Sequence, residues 1–292
     1  MSKSRDLRIG LLFASPWIIG FCVFLLYPVV ASLRYSFTSY SVLNPPRYIG
    51  LANYQELAGD SVFWGTMKNT LLYLIGAVPL MTVVAIGLAL LLNTKVKGMA
   101  FYRAMFFMPS LVPMVAQGTL FLWIFNGDYG VLNTPFRKLG LTPPNWLGDP
   151  TWTKWTLVLI AIWGCGQAMI LYLAGLQDVP ASLYEASELD GAGLWQKTKN
   201  VTLPMLSPVI LFNVIMGIIG AIQLFAVPYV MFPDGQPARS TYFVTSYLYD
   251  NAFNYQRMGY ASAIAWVMFV VTLILTLFAI RFSDRHVHYG SN

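Results

Sequence analysis

Three of the chain's twelve acidic residues, Glu185, Glu188 and Asp190, fall within six positions inside a polar insert, Tyr184 to Pro204, between two long apolar stretches. Acids crowded onto a short polar segment of an otherwise apolar chain suit contact with a soluble partner. The local pattern is that of a folded knob. Ser182 stands three residues before Glu185, an S-x-x-E capping box that predicts a helix start at the serine. Leu183, Ala186 and Leu189 recur at spacings of three and share one face of that helix, with Glu185, Glu188 and Asp190 on the rest. Gly191 can end it, because glycine reaches the left-handed conformation of a helix C-terminus. A second short helix is predicted from about Leu194 to Val201, with Lys197 and Lys199 near its negative end, before Pro204 withholds an amide donor.

Elsewhere the sequence lacks the means for catalysis. It has no G-x-x-x-x-G-K-[S/T] loop to cradle phosphate, no H-E-x-x-H and no G-x-S-x-G elbow. The two histidines, His286 and His288, sit in the C-terminal tail and read as solvated side chains, and no metal site is expected. Polar and aromatic groups that could hold a solute do occur within apolar stretches: Trp163, Gln167 and Tyr172 at spacings that can share a broad face, then Asn213, Gln223 and Trp266. Sugar recognition combines hydroxyl-pairing amides with aromatic faces, and a buried amide in hydrocarbon must face protein or a wet cavity. The same residues also serve helix packing, as do Gly76, Gly87, Gly164, Gly166, Gly217 and Gly220.

The elements that must position these groups are membrane spans. Hydrophobic residues make up 57% and charged residues 10% of the chain, with mean hydropathy +0.59, against about 25% charged in soluble domains. Uncharged runs long enough to cross a bilayer predict six helices at about 9–33, 70–92, 104–125, 155–177, 206–230 and 260–280. No alternating segments of a β-barrel occur. Lys3, Arg5, Arg8, Lys95, Lys97, Arg103, Lys197, Lys199, Arg281 and Arg285 fall on one side of that topology, and the longer loops on the other side hold the remaining eight basic residues. Their density predicts cytoplasmic termini and a cytoplasmic insert. The net charge of +6 then reflects topology, with no nucleic-acid partner expected. The first apolar run is too long for a cleaved leader and is read as a retained span. Cys22 and Cys165 fall inside spans, read as small packing residues with no disulfide. Residues 1–292 read as one integral domain. No ionisable residue lies within a span, which disfavours an ion-driven carrier.

The insert resembles the cytoplasmic EAA loop of ABC-importer permease subunits: Glu185-Ala186-Ser187, then Asp190-Gly191-Ala192, then Leu203-Pro204. The likeness covers nearly the whole chain and is greatest to the carbohydrate branch, the maltose-type and glycerol-3-phosphate-type permeases. Gly50-Leu51-Ala52-Asn53-Tyr54, Phe63-Trp64, Asn69-Thr70, Tyr102-Arg103 with Pro109 and Pro113, Asn145-Trp146-Leu147-Gly148, Ala174-Gly175-Leu176-Gln177 and Gly259-Tyr260-Ala261-Ser262-Ala263 carry it. Ser187 departs from the usual alanine.

What the resemblance implies is an all-α, six-span permease of the type I ABC-importer kind in a bacterial or archaeal cytoplasmic membrane, forming half of a sugar pathway. It implies a second homologous permease, two cytoplasmic ATP-binding subunits that hold the ATP and magnesium, and an extracellular or periplasmic solute-binding protein; this chain binds no cofactor itself. In the coupling loop, about 178–204, Glu185 would be the polar anchor in the ATPase cleft. Ala186 and Ser187 would allow close approach, and Gly191 would let the chain turn. External loops at about 34–69, 126–154 and 231–259 suit either docking of the binding protein or simple capping of the spans. A permease for glycerol-3-phosphate or another small organic solute is the alternative within transporters. A stand-alone secondary carrier or channel is the alternative of another class.

Overall fold

A computed structural model describes residues 3–94 and 96–283. Lys95, Arg285, His286 and His288 lie outside the described residues. The fold is helical, as a chain without competing water must be if its backbone is to pair within each segment. In order, α1 (Lys3–Phe21) passes through a π turn (Cys22–Leu26) into α2 (Tyr27–Ser36), followed by a hairpin of β1 (Thr38–Ser41) and β2 (Asn44–Tyr48). Next come α3 (Ala52–Gly59), α4 (Ser61–Leu92), α5 (Met99–Phe107) with a 3-10 turn (Met108–Leu111), α6 (Met114–Ile124) and α7 (Asn133–Lys138). Then follow α8 (Pro150–Trp163), α9 (Gly166–Gln177), α10 (Ala181–Leu189), α11 (Leu194–Lys197), a π turn (Thr198–Thr202), α12 (Leu203–Ile222) and α13 (Ala226–Met231). After α14 (Val244–Tyr249) and another π turn (Asp250–Asn254), α15 (Met258–Ser283) is the last helix described.

Among the described residues, four helical runs are long and apolar enough to span a membrane: Arg8–Ser36, Ser61–Leu92, Leu194–Met231 and Met258–Ser283. The two other predicted spans are broken. Met99–Leu111 meets Met114–Ile124 at 100°, and Pro150–Trp163 meets Gly166–Gln177 at 46°, so the total is six if each bent pair is one span. The first break has a local cause: Val112 is extended and Pro113, with ψ 138°, restarts the helix, as residues at and before proline favour. The hairpin was not foreseen in the sequence.

The chain divides into two compact units, Met1–Phe63 with Tyr247–Phe269, and Trp64–Ser246 with Val270–Asn292. In the first, Asn53 Nδ2 donates to the carbonyls of Ser36 (2.8 Å) and Thr38 (3.0 Å), fastening α3 to the junction of α2 and β1. Gly259 is required here: a Cβ would lie 2.0 Å from the Thr38 oxygen. Asp60 caps α4, its Oδ1 accepting the amides of Val62 (2.8 Å) and Phe63 (3.2 Å). Its Oδ2 accepts the hydroxyl of Tyr260 at 2.6 Å and that of Tyr247. Burial pushes this carboxyl up, but the two phenols and two amides outweigh it and hold the group below its ordinary range. Arg257 forks onto Glu56 at 2.6 and 2.7 Å and lies 4.4 Å from the Tyr260 ring centre.

Among the described residues of the second unit, apolar side chains gather in clusters. One gathers Tyr73, Phe121, Phe125, Trp146, Leu157, Val227 and Phe243; a second gathers Ala85, Ala89, Cys165, Met169, Leu173 and Leu206. Cys165 thus packs as expected, but Cys22 is exposed, because the part of the first span around it is not covered by the described chain. Two of the expected close-packing glycines are also corrected: Gly166 and Gly217 are tightly approached, whereas Gly87 and Gly220 meet nothing within 4 Å.

Candidate functional site

The polar insert folds as a helical elbow. Its first arm, α10, starts at Ala181 rather than at Ser182, and no side chain caps it. Pro180, with φ −58° and ψ 130°, sets the boundary one residue earlier and leaves Ser182 inside the first turn, so the predicted capping box does not form. The turn after α10 is a Schellman motif. Gly191 takes φ +75°, its amide donates to Glu188 O (3.0 Å), and the Ala192 amide donates to Ser187 O (2.9 Å). Gln196 Oε1 then accepts the Gly193 amide at 2.8 Å and starts α11.

The second arm does not stop before Pro204. The π turn carries α11 into α12, with the Leu203 amide reaching back five residues to Thr198 O. The proline's missing donor falls where that turn hands over to the regular helix, so the run Leu194–Met231 stays unbroken by it. Two side-chain contacts join the arms. Lys197 Nζ donates to Glu188 Oε1 at 2.6 Å, and the hydroxyls of Tyr184 and Thr202 share a hydrogen bond of 3.0 Å.

The outward side of the elbow is open. Glu185 and Ala186 are exposed, and the Glu185 carboxylate engages no other described residue. Ser187 is half-buried and donates to Tyr184 O at 2.7 Å. Asp190 and Gly191 are exposed, Ala192, Leu203 and Pro204 half-buried. Leu189 is 91% exposed and Trp195 76%, so the end of α10's apolar stripe and the start of α11 are largely uncovered by the described chain. An acid beside uncovered apolar side chains can anchor in a complementary groove.

The expected solute-path residues are distributed differently from the prediction. Trp163 ends α8 and packs edge-on against Phe121 at 5.1 Å, while Gln167 is exposed on the first turn of α9. Both flank the same break. Tyr172 does not join them: it is fully buried in the second cluster, and its hydroxyl, near Thr82, completes no hydrogen bond of ordinary geometry. Gln167 and Tyr172 both lie on α9 beyond the 46° bend, and a spacing of five on one helix turns them about 140° apart, so the shared face does not form. Asn213 is buried and donates to Val209 O (2.9 Å) on its own helix; Gln223 is exposed at the C-terminus of α12. Trp266 lies in the first unit, where its indole donates to Ser32 Oγ at 3.2 Å.

Gln117 was missed. Its amide lies 3.8 Å from where a Gly164 Cβ would be, beside the α8–α9 break, and its own helix starts at the sharp bend after Val112. At Gly166 a Cβ would lie 2.5 Å from Phe106 O, so α9 can approach α5 this closely only with glycine there. Two broken helices therefore meet, an arrangement tolerated in hydrocarbon only where backbone is covered by protein or lines a wet cavity. A polar residue just after paired prolines was the signal available in the sequence.

Comparison with known proteins agrees with this architecture. Residues 64–289 match the family described as binding-protein-dependent transport system inner membrane component. The chain is 40% identical over 299 residues to the probable ABC transporter permease protein YesP of Bacillus subtilis (strain 168), covering 100% of this chain and 96% of the relative. It is 36% identical to the lactose transport system permease protein LacF of Rhizobium radiobacter, over 91% of each. A bacterial alginate ABC transporter, solved in complex with an alginate-pentasaccharide-bound periplasmic protein, has a chain of TM-score 0.84 and 25% identity, with 99% of each covered.

Proposed function

The chain belongs to the family of binding-protein-dependent transport system inner membrane components, and from that premise we propose that it is the permease subunit of an ATP-driven importer for a sugar or oligosaccharide. It works as a multi-pass protein of a bacterial or archaeal cytoplasmic membrane. In this reading residues 1–292 act as one permease domain with six spans, each bent pair counting as one, and with both termini and the loop 178–204 in the cytoplasm.

The chain forms half of a pathway with a second homologous permease. An extracellular or periplasmic binding protein delivers the solute, and two cytoplasmic subunits bind ATP and magnesium and hydrolyse the nucleotide. The permease itself holds no nucleotide and catalyses no reaction. The observation that carries this reading is the open elbow: Glu185 unpaired among the described residues, with Leu189 one turn on and Trp195 on the second arm both largely uncovered. Glu185 anchors the ATPase, Ala186 and Ser187 allow close approach, and Asp190, Gly191 and Ala192 form the turn. Leu203 and Pro204 begin the span that receives the motion. Solute passes the helix breaks near Trp163 and Gln167, with Gln117 added to the path.

Closure of the two ATPases draws the paired elbows together and tilts the spans, and hydrolysis reverses the tilt. Replacement of Glu185 by lysine puts the opposite charge where an acid should dock. The substitution is expected to lower ATPase co-purification and sugar uptake by roughly tenfold or more, the scale of a lost charged contact in an interface. Uptake at the unaltered rate would refute the assignment.

A further inference from the structure

The two arms of the elbow are joined by side chains that flank a π turn. Tyr184 and Glu188 are four apart on α10 and so share one face of it. Their partners, Thr202 and Lys197, are five apart. In an α-helix residues five apart point roughly 140° away from each other, since each residue turns about 100°. The i→i+5 closure over Thr198–Thr202 brings them to the same side, and Thr202 Oγ1 indeed reaches Lys197 O at 3.4 Å. π turns of this kind occur frequently at functional sites.

The first arm needs such fastening. α10 has nine residues and none is buried, whereas α11 runs on into α12. Isolated helices of fewer than about 12 residues are marginal in water. Beyond the Gly191 turn, the Lys197–Glu188 ion pair and the Tyr184–Thr202 hydrogen bond are the side-chain links between the first arm and the second among the described residues. They sit one turn apart on α10, at Tyr184 and Glu188, so together they resist swivelling of the arm. Lys197 is 17% exposed and Thr202 buried, which anchors the links in α11 and the π turn, directly continuous with α12.

We propose that Tyr184, Glu188, Lys197 and Thr202 are positioning residues: the π turn aligns the last two so that they clamp the first two, making α10 to α12 one stiff lever. Force applied at Glu185 then passes to the fifth span without being absorbed at Gly191. The proposal rests on the coupling function assigned to the elbow above, but the lever itself can be measured without it.

Spin labels at Leu189 and Phe212, both exposed, report the distance between α10 and α12 in the full-length reconstituted protein. A narrow distribution is expected, broadening in Lys197→Ala and in Tyr184→Phe. A broad distribution in the unaltered chain, or no broadening in either variant, overturns the lever whatever the ATPase does. In the assembled importer, Glu188→Lys and Lys197→Glu should each leave the ATPase bound while solute carried per ATP falls roughly twofold to fivefold, the scale of a half-exposed ion pair. The charge-swapped double variant should recover the ratio. An unchanged ratio in the single variants, or no recovery in the double, refutes the transmission role. If the unaltered chain captures no ATPase, the coupling assignment falls, and the distance measurement still decides the lever.

Discussion

At the level of single residues, the contrast between Gln167 and Tyr172 shows how a polar group is assigned a role. Both lie on α9, yet Gln167 is exposed and Tyr172 is fully enclosed by Ala85, Ala89, Met169 and Leu206. A side chain with no accessible atom cannot touch a passing solute in this conformation, whereas Gln167 and Gln117 border the gap between α8 and α9. Alanine at Gln117 or Gln167 is therefore expected to raise the solute concentration needed for half-maximal uptake about threefold to tenfold, the effect of one lost hydrogen bond to substrate. Tyr172→Phe should leave it unchanged. Radiolabelled uptake by the reconstituted importer checks both, and a shift for Tyr172→Phe with none at the glutamines would reverse the assignment.

At the level of elements, helix starts are decided by which group satisfies the first amides. Asp60 does so for α4, and the same carboxylate receives two phenols. Asp60→Asn keeps a cap acceptor but removes the charge, which costs about 1 kcal/mol, the low end for a charged hydrogen bond because the group is partly exposed. The sign of the pH dependence follows from the depressed pKa. A carboxyl titrating lower in the folded than in the unfolded chain contributes stability above its ordinary value of 3.8, and loses it as the pH falls through the folded value. Thermal unfolding of the purified protein should show a gap between wild type and Asp60→Asn near pH 6 that closes as the pH drops below about 4. A gap that widens in acid would contradict the geometry. The start of α10 is the counter-example: the S-x-x-E pattern was legible, but Pro180 immediately upstream fixed the boundary first.

At the level of the whole molecule, the coupling assignment requires the elbow to face the cytoplasm. Leu189 is nearly fully exposed, so in a chain whose two native cysteines are replaced, Leu189→Cys should react with an impermeant thiol reagent only after the cytoplasmic face is opened. Labelling from the outside of intact cells would invalidate the topology. The helical membrane class, the approximate spans and the elbow with its Gly191 turn followed from sequence alone, because apolar run length and glycine's access to positive φ are local properties. The break between α8 and α9, the burial of Tyr172, the placement of Gln117 beside that break and the clamping of the two arms came only with the tertiary structure. Each of those depends on which groups meet across residues distant in the chain, and a helical period read along one segment carries no information about a bend or a partner outside it.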